Sequence, residues 1–225
     1  MLDWLKERKV IFFWSGTKYL VHYKIINDWA NYVDPIMRFA MCNLLRCDPK
    51  SIPLMQPYDI KNLKVQNAKF ERFTVVHSPG RKLDTNEKGT KTIIKIISKL
   101  KNEIDIDFIL MADLLNSEVL SIKSKSHLFI DQIYSPMGQV GKSGLESIIF
   151  GVPTLSDVEG KCRFEGYYSD CPVINIGSEK ELYGTILELY HNKNKYRDIS
   201  KKTKKWGERI SFENTAKYLD REFKW

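Results

Sequence analysis

Cysteine and histidine are scarce, four of each in 225 residues, and Cys42, Cys47, Cys162 and Cys171 form no CxxC pair. That spacing offers neither a zinc cage nor a disulfide framework, so no metal is expected and the thiols read as reduced and structural. Long apolar runs are missing too. The one near the start, Val10 to Trp14, is too short for a membrane span or a signal-peptide core, so the expectation is a cytoplasmic chain. Acidic residues are outnumbered, 28 against 36 Lys and Arg, giving a net charge of +8. That surplus favours phosphate-bearing or polyanionic partners without choosing among them. Internal repeats and low-complexity linkers are also absent.

What is present suits a folded protein, because 43% of residues are hydrophobic and 28% charged, a balance that disordered chains lack. The length fits one sizeable core, or one complete domain with part of a second. Much of the basic excess crowds Lys193 to Arg209, with Lys195, Arg197, Lys201, Lys202, Lys204 and Lys205 between. A solvated helix face is the favoured reading. The alternative is peripheral contact with an anionic membrane surface, at the inner membrane face; no nucleic-acid partner is expected, because no recognition motif accompanies the charge.

From Phe73 onward short apolar runs alternate with helical stretches, the pattern of a parallel sheet covered by helices. Strands are expected at Phe73–His77, Ile106–Met111, Leu128–Gln132, Pro153–Leu155 and Val173–Ile176. Helices are expected at Lys88–Leu100, Ser117–Lys123, around Glu146, from a Ser178/Glu181 capping box to His191, and at Tyr196–Arg209 and Phe212–Phe223. The fold class is therefore α/β, a Rossmann-like parallel sheet with helices on both faces. The first 70 residues read differently: a strand at Val10–Trp14, then a mainly helical stretch from Tyr19 to Leu45 broken near Asp34-Pro35. One strand and a helix pair make no sheet of their own. The domains are thus expected at 1–70, a partial unit, and 71–225.

Open parallel sheets bind ligands at the carboxyl ends of their strands, and four features converge there. They are His77-Ser78-Pro79-Gly80-Arg81, Lys88-Gly89-Thr90, Asp131-Gln132, and the turn from Gly138 through Gly141 and Ser143 to Gly144. The turn runs into a short apolar helix carrying Glu146 near its positive end, where backbone amides attract anions. Two cations, exposed amides and one carboxylate suit a nucleotide diphosphate, with the carboxylate on the ribose. Alone on an apolar helix, Glu146 needs a ribose or a basic neighbour. Pro136 to Ser143 would read as a phosphate-binding P-loop if Pro136 were glycine, but proline lacks both that freedom and the amide.

These pieces, together with Phe129-Ile130-Asp131-Gln132 and Gly144-Leu145-Glu146 through Gly151-Val152-Pro153-Thr154, resemble the C-terminal half of group 1 glycosyltransferases. That family has the two-Rossmann-domain GT-B architecture, and the match covers about Phe73 to Asp157. The resemblance implies that Lys88 and Arg81 bind and stabilise the departing donor diphosphate. It also implies that Glu146 holds the ribose, that the Gly141–Gly144 amides meet phosphate oxygens, and that His77, Gly80, Ser143 and Leu145 line the donor site. Where the family usually carries a second glutamate, eight positions before Glu146, this chain has Gly138. Residues 1–70 then correspond to a remnant of the N-terminal acceptor domain, and Trp206 to Trp225 to the helix that crosses back to it. The implied activity is sugar transfer from a nucleotide-sugar donor, a substrate and not a cofactor, to a glycan or lipid-linked acceptor in polysaccharide biosynthesis. The alternative is a non-catalytic nucleotide- or glycan-binding subunit needing a separate N-terminal-domain partner.

Overall fold

The computed structural model describes residues 12–14, 38–40, 52–63, 68–79, 88–134, 140–158 and 166–223. The chain divides into two compact units, one of Met1–Tyr58, Arg163–Asp170 and Arg209–Trp225, the other of Asp59–Cys162 and Cys171–Glu208.

The first unit contains a three-stranded parallel sheet, β1 (Phe12–Trp14), β2 (Arg38–Ala40) and β3 (Ile52–Pro53), in that order. β2 replaces helix with strand at Arg38–Ala40, inside the stretch from Tyr19 to Leu45 expected to be mainly helical and otherwise outside the described residues, and with β3 it supplies the sheet judged out of reach of this segment. Strands of two or three residues are too short to show a period of two, so hydrophobic patterning passes over them. At the other end of the chain Ser211 caps the last helix, its Oγ accepting the Asn214 N–H at 3.1 Å. Within this unit the Tyr58 N–H donates to the Ile210 carbonyl at 2.8 Å, and the Tyr218 hydroxyl donates to the Pro53 carbonyl at 3.1 Å.

The second unit is a five-stranded, wholly parallel sheet of β4 (Phe73–His77), β5 (Ile106–Leu110), β6 (Leu128–Gln132), β7 (Thr154–Ser156) and β8 (Ile174–Asn175). Its order, β5-β4-β6-β7-β8, places the first strand between the second and third. Its helices are α1 (Thr90–Leu100), α2 (Asn116–Lys125), α3 (Lys142–Ile149), α4 (Glu179–His191) and α5 (Lys193–Gly207). Both faces are covered, as expected. Alternate residues of β4 and β6 feed opposite cores: Val75, Leu128 and Ile130 meet Ile93, Ile97, Leu182 and Ile186 on the side of α1 and α4, whereas Val76 and Phe129 pack with Phe150 and Val152. Each fully buried aliphatic side chain contributes roughly 1.5–3 kcal/mol, so the sheet is a rigid platform for whatever its strand ends carry.

Helix ends follow the local chemistry with small displacements. Ser178 Oγ accepts the Glu181 N–H at 3.2 Å, but the Glu181 carboxylate takes the Gly177 N–H at 2.7 Å where a regular capping box would use that of Ser178. The basic run lies mostly on exposed positions of α5, while Arg209 is tied to the carbonyls of Tyr167 and Ser169 at 3.0 and 2.8 Å. Among the described residues no helix is long and apolar enough to cross a membrane.

Candidate functional site

In the order β5-β4-β6 the crossover from β4 runs to one side of the sheet and the crossover from β6 to the other, so the carboxyl ends of β4 and β6 form the switch point at which sheets of this kind bind ligands. His77 ends β4 opposite Ile130, and Asp131 and Gln132 end β6. Lys88, the start of α1 and the start of α3 are brought to the same ends.

His77 is fully buried, with Nδ1 2.7 Å from the Ile130 carbonyl and Nε2 2.9 Å from Thr90 Oγ1. A carbonyl only accepts, so the proton sits on Nδ1 and Nε2 accepts from the threonine hydroxyl. Burial pushes the imidazole down to about 4, with the Lys88 charge adding to the effect and the Ile130 bond opposing it. His77 is thus neutral, and both of its nitrogens are held by the protein; its place is to join β4, β6 and α1. The turn into α1 uses Gly89 at φ 70°, where a Cβ would stand 2.6 Å from the Ile133 carbonyl oxygen. Glycine is required there, and it moves the helix start to Thr90, two residues beyond the expected Lys88.

The Lys88 ammonium lies 3.3 Å from Asp131 Oδ1, with the lysine side chain one-fifth exposed and the aspartate side chain fully buried. Asp131 Oδ2 accepts the Gly141 N–H at 2.7 Å. Of the amides expected to meet phosphate, that of Gly141 is therefore engaged by Asp131, and that of Gly144 donates to the Gly141 carbonyl at 2.9 Å. Gly144 also lets the turn close, since a Cβ there would fall 2.6 Å from Val140 Cγ1. Leu145 is core: its side chain is fully buried and its amide bonds the Gly141 carbonyl at 3.1 Å.

Glu146 has the basic neighbour that its burial demands. Its Oε2 lies 2.7 Å from the ammonium of Lys123, itself fully buried on α2. Lys123 also donates to the Ser143 hydroxyl at 2.7 Å and carbonyl at 2.9 Å, and sits 4.9 Å from the centre of the Phe129 ring. Three acceptors match the three protons of an ammonium. Burial pushes Lys123 down from the ordinary lysine value, and the charge of Glu146 works against that shift, followed by the charge of Asp131. Lys88, Asp131, Lys123 and Glu146 thus form one electrostatic cluster.

Sequence reasoning missed Lys123. Its signal was present, because Lys123 falls four residues after Val119 and three after Leu120, on the stripe that packs against the sheet. Gly80, Arg81 and Gly138 lie outside the described residues. Among the described residues no cluster of His, Cys, Asp and Glu suited to a metal occurs.

Solved structures of similar fold include the pneumococcal O-GlcNAc transferase GtfA in complex with UDP and GlcNAc, with a TM-score of 0.57 over 95% of this chain at 11% identity. An S. aureus TarM mutant in complex with UDP and other ligands matches 99% of the chain with a TM-score of 0.56 at 14% identity. The chain has the GT-B type fold. The same fold extends to a UDP-N-acetylglucosamine 2-epimerase, with a TM-score of 0.52 over 87% of the chain at 13% identity. This GT-B type chain spans 44%, 45% and 61% of the lengths of those three proteins. No protein-family model and no curated protein matches it.

Proposed function

We propose that this chain is the donor-binding part of a glycosyltransferase, moving a sugar from a nucleotide-sugar donor to a glycan or lipid-linked acceptor in polysaccharide assembly. The unit of Asp59–Cys162 and Cys171–Glu208 is read as the donor domain, and the unit of Met1–Tyr58, Arg163–Asp170 and Arg209–Trp225, which departs from the expected boundary at residue 70, as the acceptor side. The observation that carries the reading is the gathering of Lys88, the start of α3 and the Glu146–Lys123 pair at the switch point of a parallel sheet. UDP is the nucleotide to try first, because the GtfA and TarM structures contain UDP.

In the proposed reaction the bond from the sugar's anomeric carbon to the diphosphate oxygen breaks, and a bond to an acceptor oxygen forms. The acceptor proton leaves, and the nucleoside diphosphate departs with the electron pair. Lys88, Arg81 and the first-turn amides of α3 stabilise the charge growing on that leaving group, which is the largest kind of catalytic contribution in such sites. The free oxygen of Glu146 reads the ribose hydroxyls while Lys123 holds the other. His77 supports the site by joining β4, β6 and α1, and Gly80 is assigned to it by the family resemblance alone.

The test is calorimetric binding of UDP and GDP, with Lys88→Ala and Glu146→Gln as probes. Glutamine keeps an acceptor for Lys123, whereas alanine would strand a buried ammonium. Weakening by both changes supports the donor site, and affinity indifferent to both ends it. A second reading, a non-catalytic subunit needing a separate N-terminal-domain partner, is favoured by Gly138, which stands where the resembled family usually carries a second glutamate. It predicts nucleotide binding without donor turnover until that partner is added.

A further inference from the structure

Resting on the nucleotide-binding reading, we propose that Asp131 is an internal competitor for the ligand's phosphate, its carboxylate filling the anion position at the start of α3. The two carboxylate oxygens are used separately: Oδ1 faces the Lys88 ammonium at 3.3 Å, and Oδ2 accepts the Gly141 N–H at 2.7 Å. One lysine and one amide at a helix start are the donors that a phosphate oxygen seeks. The carboxylate also lies against the first turn itself, since a Cβ on Gly144 would stand 3.0 Å from Oδ2 and one on Gly141 3.2 Å from Oδ1. Glycine at both positions makes room for it.

Charge points the same way. Lys88 is matched by Asp131, Lys123 is matched by Glu146, and His77 is neutral, so this cluster carries no net charge despite the +8 of the whole chain. A diphosphate entering it meets a fully buried carboxylate on the donors it needs, and like charges in a shared site oppose one another. Diphosphate binding therefore requires Asp131 to give up Lys88 and Gly141. The nucleoside portion carries no such penalty.

The experiment is calorimetric titration of the full chain with UDP and with uridine at one fixed salt concentration, comparing the unaltered protein with Asp131→Asn. Asparagine keeps an oxygen for the Gly141 N–H and removes the charge. The variant is expected to bind UDP at least tenfold more tightly, with uridine changed by less than about twofold, tenfold being 1.4 kcal/mol. On the unaltered chain, UDP is expected to bind less than about tenfold more tightly than uridine, a ratio that stands without the variant if the substitution unfolds the protein. Uridine binding retained with no gain for UDP in the folded variant overturns the role of Asp131 alone. So does an unaltered chain preferring UDP by more than that ratio. Neither ligand binding to either protein overturns the nucleotide reading, and this inference falls with it.

Discussion

Replacing Lys123 by methionine leaves the Glu146 carboxylate, only 7% exposed, without the ammonium 2.7 Å away. Breaking one side of a buried pair costs roughly 3–5 kcal/mol, because the remaining charge keeps its desolvation penalty and loses its compensation. That is a large share of the roughly 5–15 kcal/mol that holds a typical domain together. Glu146→Leu should cost about as much for the mirror-image reason, stranding a fully buried ammonium beside Ser143 and Phe129. The double variant Lys123→Met/Glu146→Leu removes both charges and refills the space with apolar atoms. It should recover most of the loss, since such swaps are commonly neutral. Urea unfolding of the four proteins at pH 7, followed by circular dichroism, gives the coupling energy directly. In melting temperature each single change should cost about 6–20 °C at 2–4 °C per kcal/mol. Single variants within about 1 kcal/mol of the parent, the range of an exposed pair, would refute the reasoning. So would a double variant that loses the sum of both.

His77 gives the fold an acid-sensitive term. The unfolded imidazole takes its proton near 6.5 and the folded one only near about 4, so between those values the unfolded chain binds more protons. Stability is full above the upper value and falls as pH drops towards the lower one, by roughly 3 kcal/mol in all. His77→Asn, which cannot titrate, should reduce that slope in urea midpoints compared at pH 7 and 4.5, with partly buried His127, also pushed down by burial to about 4, supplying what remains, and an unchanged slope would count against it. Gly89→Ala forces an L side chain to φ 70° against the Ile133 carbonyl, and should destabilise by about 2 kcal/mol or more in the same assay. Ser211→Ala removes the hydroxyl that accepts the Asn214 N–H, and should cost about 1 kcal/mol.

Much of the second unit was legible because its signals are local. Apolar runs at Phe73–His77 and Leu128–Gln132, the stripe Ile93, Ile97 and Leu100, and the Ser178 cap each lie within a few residues of sequence, as does the Ser211 cap in the first unit. The same locality explains the errors. β2 is three residues long and lies inside a stretch with helical spacing, so nothing in its own composition marks it as a strand. Lys123 interrupts an apolar stripe, but its partner Glu146 is 23 residues away on another helix.

The sequence alone determined which segments of the second unit become strands and helices, and that their alternation builds a parallel sheet with the candidate site residues at its strand ends. Period, caps and turn residues act over a few positions, and each carries its own energy. Only the tertiary structure decided which charges meet. Once β6 settles beside β4 and ahead of β7, Asp131 comes to the start of α3 and Lys88, and Lys123 comes beneath Glu146. Those pairings depend on which strands are neighbours, and burial turns that accident of order into an obligation, because a charge sealed from water must find its counter-charge inside the protein.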